Sequence, residues 1–148
     1  MVQSETVEIL LVEDNPRDAD LAIRSLKKHN LANKLVHMED GVEALDFLFQ
    51  RGKYAGEAGV RHPKIILLDI KLPKLDGLEV LKEIKSHPET HAIPVVMLSS
   101  SREDPDIQKA YLYGANSYVV KPVDFESFRE AVTSIGMYWL SINQPARA

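Results

Sequence analysis

Apolar positions along this chain follow two alternating rhythms. Short, largely apolar runs occur at residues 7–12 (VEILLV), 34–38 (KLVHM), 65–68 (IILL), 94–98 (PVVML) and 117–120 (SYVV). Runs of that length read as strands, and the least interrupted of them suit burial on both faces of a parallel sheet. Between them the apolar residues recur at helical spacing: Ala19, Ala22, Ile23 and Leu26; Val42, Leu45, Leu48 and Phe49; Val80, Leu81 and Ile84; Ile107, Ala110 and Tyr111. A last stripe of Phe125, Phe128, Val132, Ile135, Trp139 and Ile142 predicts a helix from about 124 to 143. Helix starts are marked by Asn15-Pro16, Asp40-Gly41, Asp76 with Glu79, Asp104-Pro105 and Asp124. Residues 51–63 carry three glycines and no periodicity, which reads as a surface excursion.

Strands alternating with helices predict one α/β domain over residues 1–148, with its core at about 7–143. The expected architecture is a doubly wound, five-stranded parallel sheet in the flavodoxin-like order 2-1-3-4-5, with helices on both faces. That order has a chemical consequence. Glu13-Asp14, Asp69, Ser99 and Lys121 each follow the last apolar residues of a different strand. The topology gathers all of them at the carboxyl edge of the sheet, where such folds bind ligands.

Composition narrows the field. Charged residues are 27% of the chain, the net charge is -4 and there is no cysteine. Thiol chemistry and a disulfide framework are therefore excluded, and nucleic acid is not the expected main partner. No run approaches membrane-spanning length and no signal-peptide pattern opens the chain, so the expected location is cytoplasmic, away from any membrane. His87 and His91 stand four apart, but Pro88 between them argues against a shared helical face for metal.

Three carboxylates converging without cations would repel, and one would tend to stay protonated. A hard divalent cation resolves this, and an all-oxygen site suits Mg²⁺ or Mn²⁺. Lys121 can pair with an anion over the site and Ser99 can donate to it. A carboxylate nucleophile, a cation, a lysine and a hydroxyl are the parts needed to move a phosphoryl group onto Asp69. Taken singly, the acids are ordinary helix-start residues, and the serine and lysine ordinary turn residues; their convergence is what carries the chemistry.

The same residues resemble a known family. LLVEDN (10–15), IILLDIKLPKLDG (65–77), MLSS (97–100) and GANSYVVKP (114–122) are similar to the motifs of receiver domains in the response regulators of two-component signalling, the CheY-like proteins. The resemblance covers about residues 7 to 140. It implies that Asp69 accepts a phosphoryl group from a sensor histidine kinase. It implies that Asp14 binds Mg²⁺ directly, Glu13 largely through metal-bound water, and the Lys71 backbone carbonyl completes the set. Ser99 and Lys121 would hold the phosphoryl group, and Tyr118 would be the aromatic switch. Ser99 stands where the family more often has Thr. The longer segment at 50–64, with four Lys/Arg against one Glu, and the aromatic last helix are similar to stand-alone regulators paired with bacterial phytochromes.

The chain has no room for a DNA-binding or catalytic output domain, so output is expected from contacts of the domain itself or from passing the phosphoryl group on. A phosphatase of the haloacid-dehalogenase type is the rival enzyme reading. Its second acid would fall at position 71, which is Lys. Two further expectations are structural. Lys121-Pro122 is expected to be cis, making Pro122 a compact reversal. Met137, Tyr138 and Leu140 lie off the last helix's stripe, and no charge occurs from Ala131 to Ile142, which points to a homodimer through that helix.

Overall fold

The computed structural model describes residues 7–31, 34–56 and 62–146. Five strands, β1 (Ile9–Val12), β2 (Leu35–Met38), β3 (Ile65–Leu68), β4 (Val95–Ser99) and β5 (Ser117–Val120), pair in parallel in the order β2-β1-β3-β4-β5. This is the predicted sheet. The central strands β1, β3 and β4 are buried at every position, while edge strands β2 and β5 are mostly half-buried. Five helices connect them: α1 (Pro16–Lys28), α2 (Gly41–Leu48), α3 (Gly77–Ser86), α4 (Asp104–Leu112) and α5 (Phe125–Gly136).

Alternation along each strand divides the core in two. Leu10, Val12, Ile66, Leu68, Val95 and Met97 pack toward α2 and α3. Ile9, Leu11, Ile65, Leu67, Val96 and Leu98 pack toward α1 and α5. Capping follows the expected residues at four of the five helices. Asn15 accepts from the amides of Arg17 and Asp18, Asp40 from Glu43, Asp76 from Leu78 and Asp124 from Ser127. α4 instead starts from Glu103, with no side-chain cap.

Several expected inward faces are rotated. In α2, Val42 is 42% exposed while Phe47 is buried; Phe47 meets Tyr54 edge-to-face at 5.3 Å. Tyr54 closes a short 3-10 turn, Gly52–Tyr54, at the start of the surface excursion, and its hydroxyl donates to Glu43. Residues 57–61 of that excursion lie outside the described residues. In α4 only Ala110 is buried and Tyr111 is half exposed.

The last helix changes character. After Gly136 it continues as a π-helical segment, Met137–Ile142, with the Asn143 amide bonding to the Tyr138 carbonyl five residues back. Such i to i+5 bonding advances each residue by less than an α turn does, so the apolar stripe drifts. Trp139 and Leu140 pack against the α1/α5 core, whereas Ile142 turns out to solvent at 67% exposure. Leu140, expected off the stripe, lies on it; Ile142, expected on it, does not. Phe125, also expected in the stripe, is half exposed under the guanidinium of Arg17.

Candidate functional site

Register assembles the site. Val12 pairs with Leu68, so Glu13 and Asp69 leave adjacent strands side by side, and the Asp69 amide donates to the Val12 carbonyl at 3.1 Å. Ser99 ends β4 opposite Val120, and the Lys121 amide donates to the Ser99 carbonyl at 2.7 Å. Glu13, Asp69 and Ser99 are buried polar residues, while Asp14 is exposed at the rim. The four strand ends meet as the topology requires.

Lys121 is the hub. Its ammonium contacts Glu13 Oε1 at 2.5 Å, Asp69 Oδ2 at 2.9 Å and Asp18 Oδ2 at 3.0 Å. Burial works against its charge, but the hydrogen bond to Glu13 and the charge of Asp69 outweigh this and raise its pKa above the usual lysine value. Burial pushes the Glu13 carboxyl up to about 7, with the Asp69 charge adding to the rise and Lys121 opposing it. The other Glu13 oxygen accepts from the Asn15 amide, and Asp69 Oδ1 accepts from the Ile70 amide at 2.7 Å.

Asp18 is the residue that sequence reasoning missed. It sits in the first turn of α1, four residues after Asp14, and that one-turn spacing was the available signal. Its position reads equally well as a helix-start acid, which concealed its contact with a lysine from the far end of the chain.

Lys121 reaches the carboxylates through a trans peptide: the described residues contain no cis bond, so the expected cis Lys121-Pro122 is corrected. The reversal is not as tight as supposed. Pro122, Val123 and the cap Asp124 separate Lys121 from α5, and over those residues the chain turns without the less stable isomer.

Gly77 explains how α3 comes so close to β3. A Cβ there would lie 1.9 Å from the Asp69 carbonyl oxygen, and the Gly77 amide donates to the Ile70 carbonyl at 2.7 Å. Only glycine fits this approach, which fixes the backbone on which Asp69 stands. Lys71 follows in the same turn with its side chain exposed, so no acid is presented there.

Beside the carboxylates, Ser99 Oγ accepts from the Ser101 amide at 3.3 Å. The Tyr118 hydroxyl donates to the Ser101 carbonyl at 2.9 Å, and Ser101 Oγ donates to Asp106 at 2.6 Å. Burial raises the Tyr118 phenol above its ordinary value. Tyr118 is therefore already bonded to the loop that follows β4.

Glu13, Asp14 and Asp69 offer carboxylate oxygens within 4.8 Å of one another. The donors are all oxygen, two buried and one at the open rim, and burial, with the charge of Asp69 beside it, makes Glu13 hold its proton unusually tightly even against Lys121. This set fits a hard divalent cation.

The response regulator receiver domain model matches residues 9–133. The chain is 42% identical to the probable methanogenesis regulatory protein FilR2 of Methanothrix harundinacea, over 92% of this chain and 85% of that one. It is 38% identical to response regulator Rcp1 of Synechocystis sp., over 93% and 92% of the two chains. The crystal structure of the Mn²⁺-bound form of Rcp1 matches with a TM-score of 0.88 at 36% identity, over 95% of this chain and 99% of that one. The phosphorylated cyanobacterial phytochrome response regulator RcpA matches with a TM-score of 0.89 at 38% identity, covering 97% of this chain and 100% of that one.

Proposed function

Because the chain belongs to the response regulator receiver domain family, a family of phosphorylation-based signalling, we propose that Asp69 is its phosphoryl acceptor and a sensor histidine kinase the donor. The observation that carries this reading is Lys121 bridging Glu13 and Asp69 at the sheet edge. An Asp69 carboxylate oxygen attacks phosphorus in line. The new O–P bond forms as the N–P bond of the donor's phosphohistidine breaks, and the electron pair leaves with the imidazole. Lys121 neutralises the arriving anion and keeps one N–H on the acceptor. Glu13, Asp14, Asp69 and the Lys71 carbonyl are the groups that would hold a cation, Mg²⁺ or alternatively Mn²⁺, which when bound balances charge on the phosphoryl oxygens. In this reading the domain catalyses only its own phosphorylation and dephosphorylation.

Output follows from the Ser99–Ser101 loop. A phosphoryl group that attracts the Ser99 hydroxyl breaks its bond with the Ser101 amide, and Ser101 carries the carbonyl that holds Tyr118. The change then spreads to the face of α4, β5 and α5. Passing the phosphoryl group on to another protein is the alternative output. The likeness to RcpA and Rcp1 supports a phytochrome-like kinase as donor. Among the described residues no helix is long and apolar enough to cross a membrane, in keeping with action in the cytoplasm. Exposed Met137, Tyr138 and Ile142, with Tyr111 and Leu112 on α4, support a homodimer through this face.

The test is intact mass after incubation with Mg²⁺ and a small acyl phosphate. Wild type gains one phosphoryl group and Asp69→Ala gains none. The same gain in Asp69→Ala would overturn the assignment, and turnover of a generic phosphate ester would favour the phosphatase reading.

A further inference from the structure

His37 is a histidine in edge strand β2 that the reading above does not use. Its Nε2 lies 2.8 Å from the backbone carbonyl oxygen of Glu13. A carbonyl only accepts, so Nε2 carries the proton in this contact. The location is where the sheet ladder runs out. The last backbone bond between β1 and β2 is from the Glu13 amide to the Met38 carbonyl at 2.9 Å. In a parallel ladder the next donor would be the Asp40 amide, but Asp40 has left the strand to cap α2. The His37 ring takes the acceptor that the ladder abandons.

That acceptor belongs to the peptide joining Glu13 to Asp14. The Glu13 carboxylate is fixed by other means, through Lys121 and the Asn15 amide. Asp14 is exposed and, among the described residues, its carboxylate has no hydrogen bond; its aim depends on its backbone. Rotation of the 13–14 peptide would swing Asp14 away from Glu13 and Asp69 while leaving those two in place.

We propose that His37 is a positioning residue for the acidic site: its Nε2–H bond to the Glu13 carbonyl holds the peptide that presents Asp14 to a divalent cation. The inference rests on the cation site proposed above. Partners one shell out from a metal's ligands commonly change affinity by about 10- to 100-fold. A contact that acts through one peptide should stand at the low end of that range.

The experiment titrates Mn²⁺ alone into metal-free wild type, His37→Leu, His37→Gln, His37→Asn and Asp14→Asn, following the free-ion signal by electron paramagnetic resonance at a temperature where thermal unfolding shows each to be folded. His37→Leu and His37→Asn should bind Mn²⁺ about tenfold more weakly. His37→Gln, whose amide can place an N–H near the Nε2 position, should recover to within about threefold. Wild-type affinity in His37→Leu, alongside a large loss in Asp14→Asn, would overturn the role of His37 and leave the cation site standing. Equal, negligible binding in wild type and Asp14→Asn would overturn the cation site, and this inference with it. If His37→Leu does not fold, the Gln and Asn variants decide: equal losses in both overturn the proposal. Long-range ¹⁵N correlation of the wild-type imidazole gives an independent check. It should show a proton on Nε2, and a neutral ring protonated only on Nδ1 would rule the bond out.

Discussion

Asp18 Oδ2 accepts a hydrogen bond from Lys121 Nζ at 3.0 Å, joining residues 103 positions apart in the chain. With Glu13 and Asp69 it gives the ammonium three carboxylate acceptors for its three N–H groups. Asp18→Ala frees one of those N–H groups to rotate. The expected outcome is a loss of about 1 kcal/mol in urea unfolding, since Asp18 is partly screened by solvent. Phosphorylation by an acyl phosphate should slow by about tenfold or less, because Lys121 keeps its other two anchors. Asp18→Asn, which retains an acceptor oxygen, should fall between the two.

Chelation should act on the acids together. Without a cation, Glu13, Asp14 and Asp69 present their charge directly to an incoming phosphoryl anion. Adding EDTA should therefore slow phosphorylation of wild type by at least about 100-fold, corresponding to more than about 2.7 kcal/mol of barrier. A time course of intact mass measures it, and rescue by excess Mg²⁺ completes the check.

Gly77→Ala should be among the most damaging single-methyl changes in the chain. The added carbon would overlap the Asp69 carbonyl at 1.9 Å, and backbone on both sides cannot yield cheaply. A destabilisation of about 3 kcal/mol or more is expected, read from the shift of the chemical unfolding midpoint. Where the variant still folds, Asp69 should be phosphorylated far more slowly, since its strand end must move.

Lys85 carries a pH dependence away from the site. Its ammonium donates to the carbonyls of His91 and Ile93 and to Asn116 Oδ1 at 2.8–3.1 Å, with no carboxylate among these acceptors. Burial lowers its pKa below the usual 10.5. Between the lowered folded value and 10.5 the unfolded chain binds more protons, so this group's contribution to stability rises with pH across that alkaline window; below it the cost of the buried charge is carried in full. Subtracting the stability of Lys85→Gln from that of wild type should give a difference that grows with pH there. A flat difference would contradict the assignment.

Tyr138→Glu should abolish self-association. Tyr138 is half exposed in an uncharged stretch, so a carboxylate there disturbs no packed core. Sedimentation at micromolar concentration should show a dimer for wild type and a monomer for the variant, with thermal unfolding little changed.

What the sequence revealed tracks how completely each segment is buried. β1, β3 and β4 have protein on both faces, so polar residues are excluded and their ends, which place Glu13, Asp69 and Ser99, were plain to read. α2 was harder, because Val42, Leu45, Phe47, Leu48 and Phe49 surround it, and packing against α3 decides which face turns in. Asp18 was hidden because its partner lies across the whole fold. The isomer at Pro122 depends on how much chain separates it from α5, which the dipeptide itself does not encode. Drift within the last helix depends on hydrogen-bond geometry that no side-chain pattern records.

That drift begins where Gly136 lies against Leu26 of α1, so close that a Cβ would come within 2.6 Å of the leucine side chain. Beyond this point six residues cover the rotation of about five in an α-helix. The segment thus behaves as an α-helix that has absorbed one extra residue. Deleting a single residue between Met137 and Ile142 would remove the surplus and let an ordinary α-helix carry Ile142 through the same rotation, leaving it turned to solvent. The direction in which Ile142 faces is thereby insulated from a one-residue change in chain length, because the helix absorbs the extra residue in its hydrogen bonding rather than passing it on as a rotation.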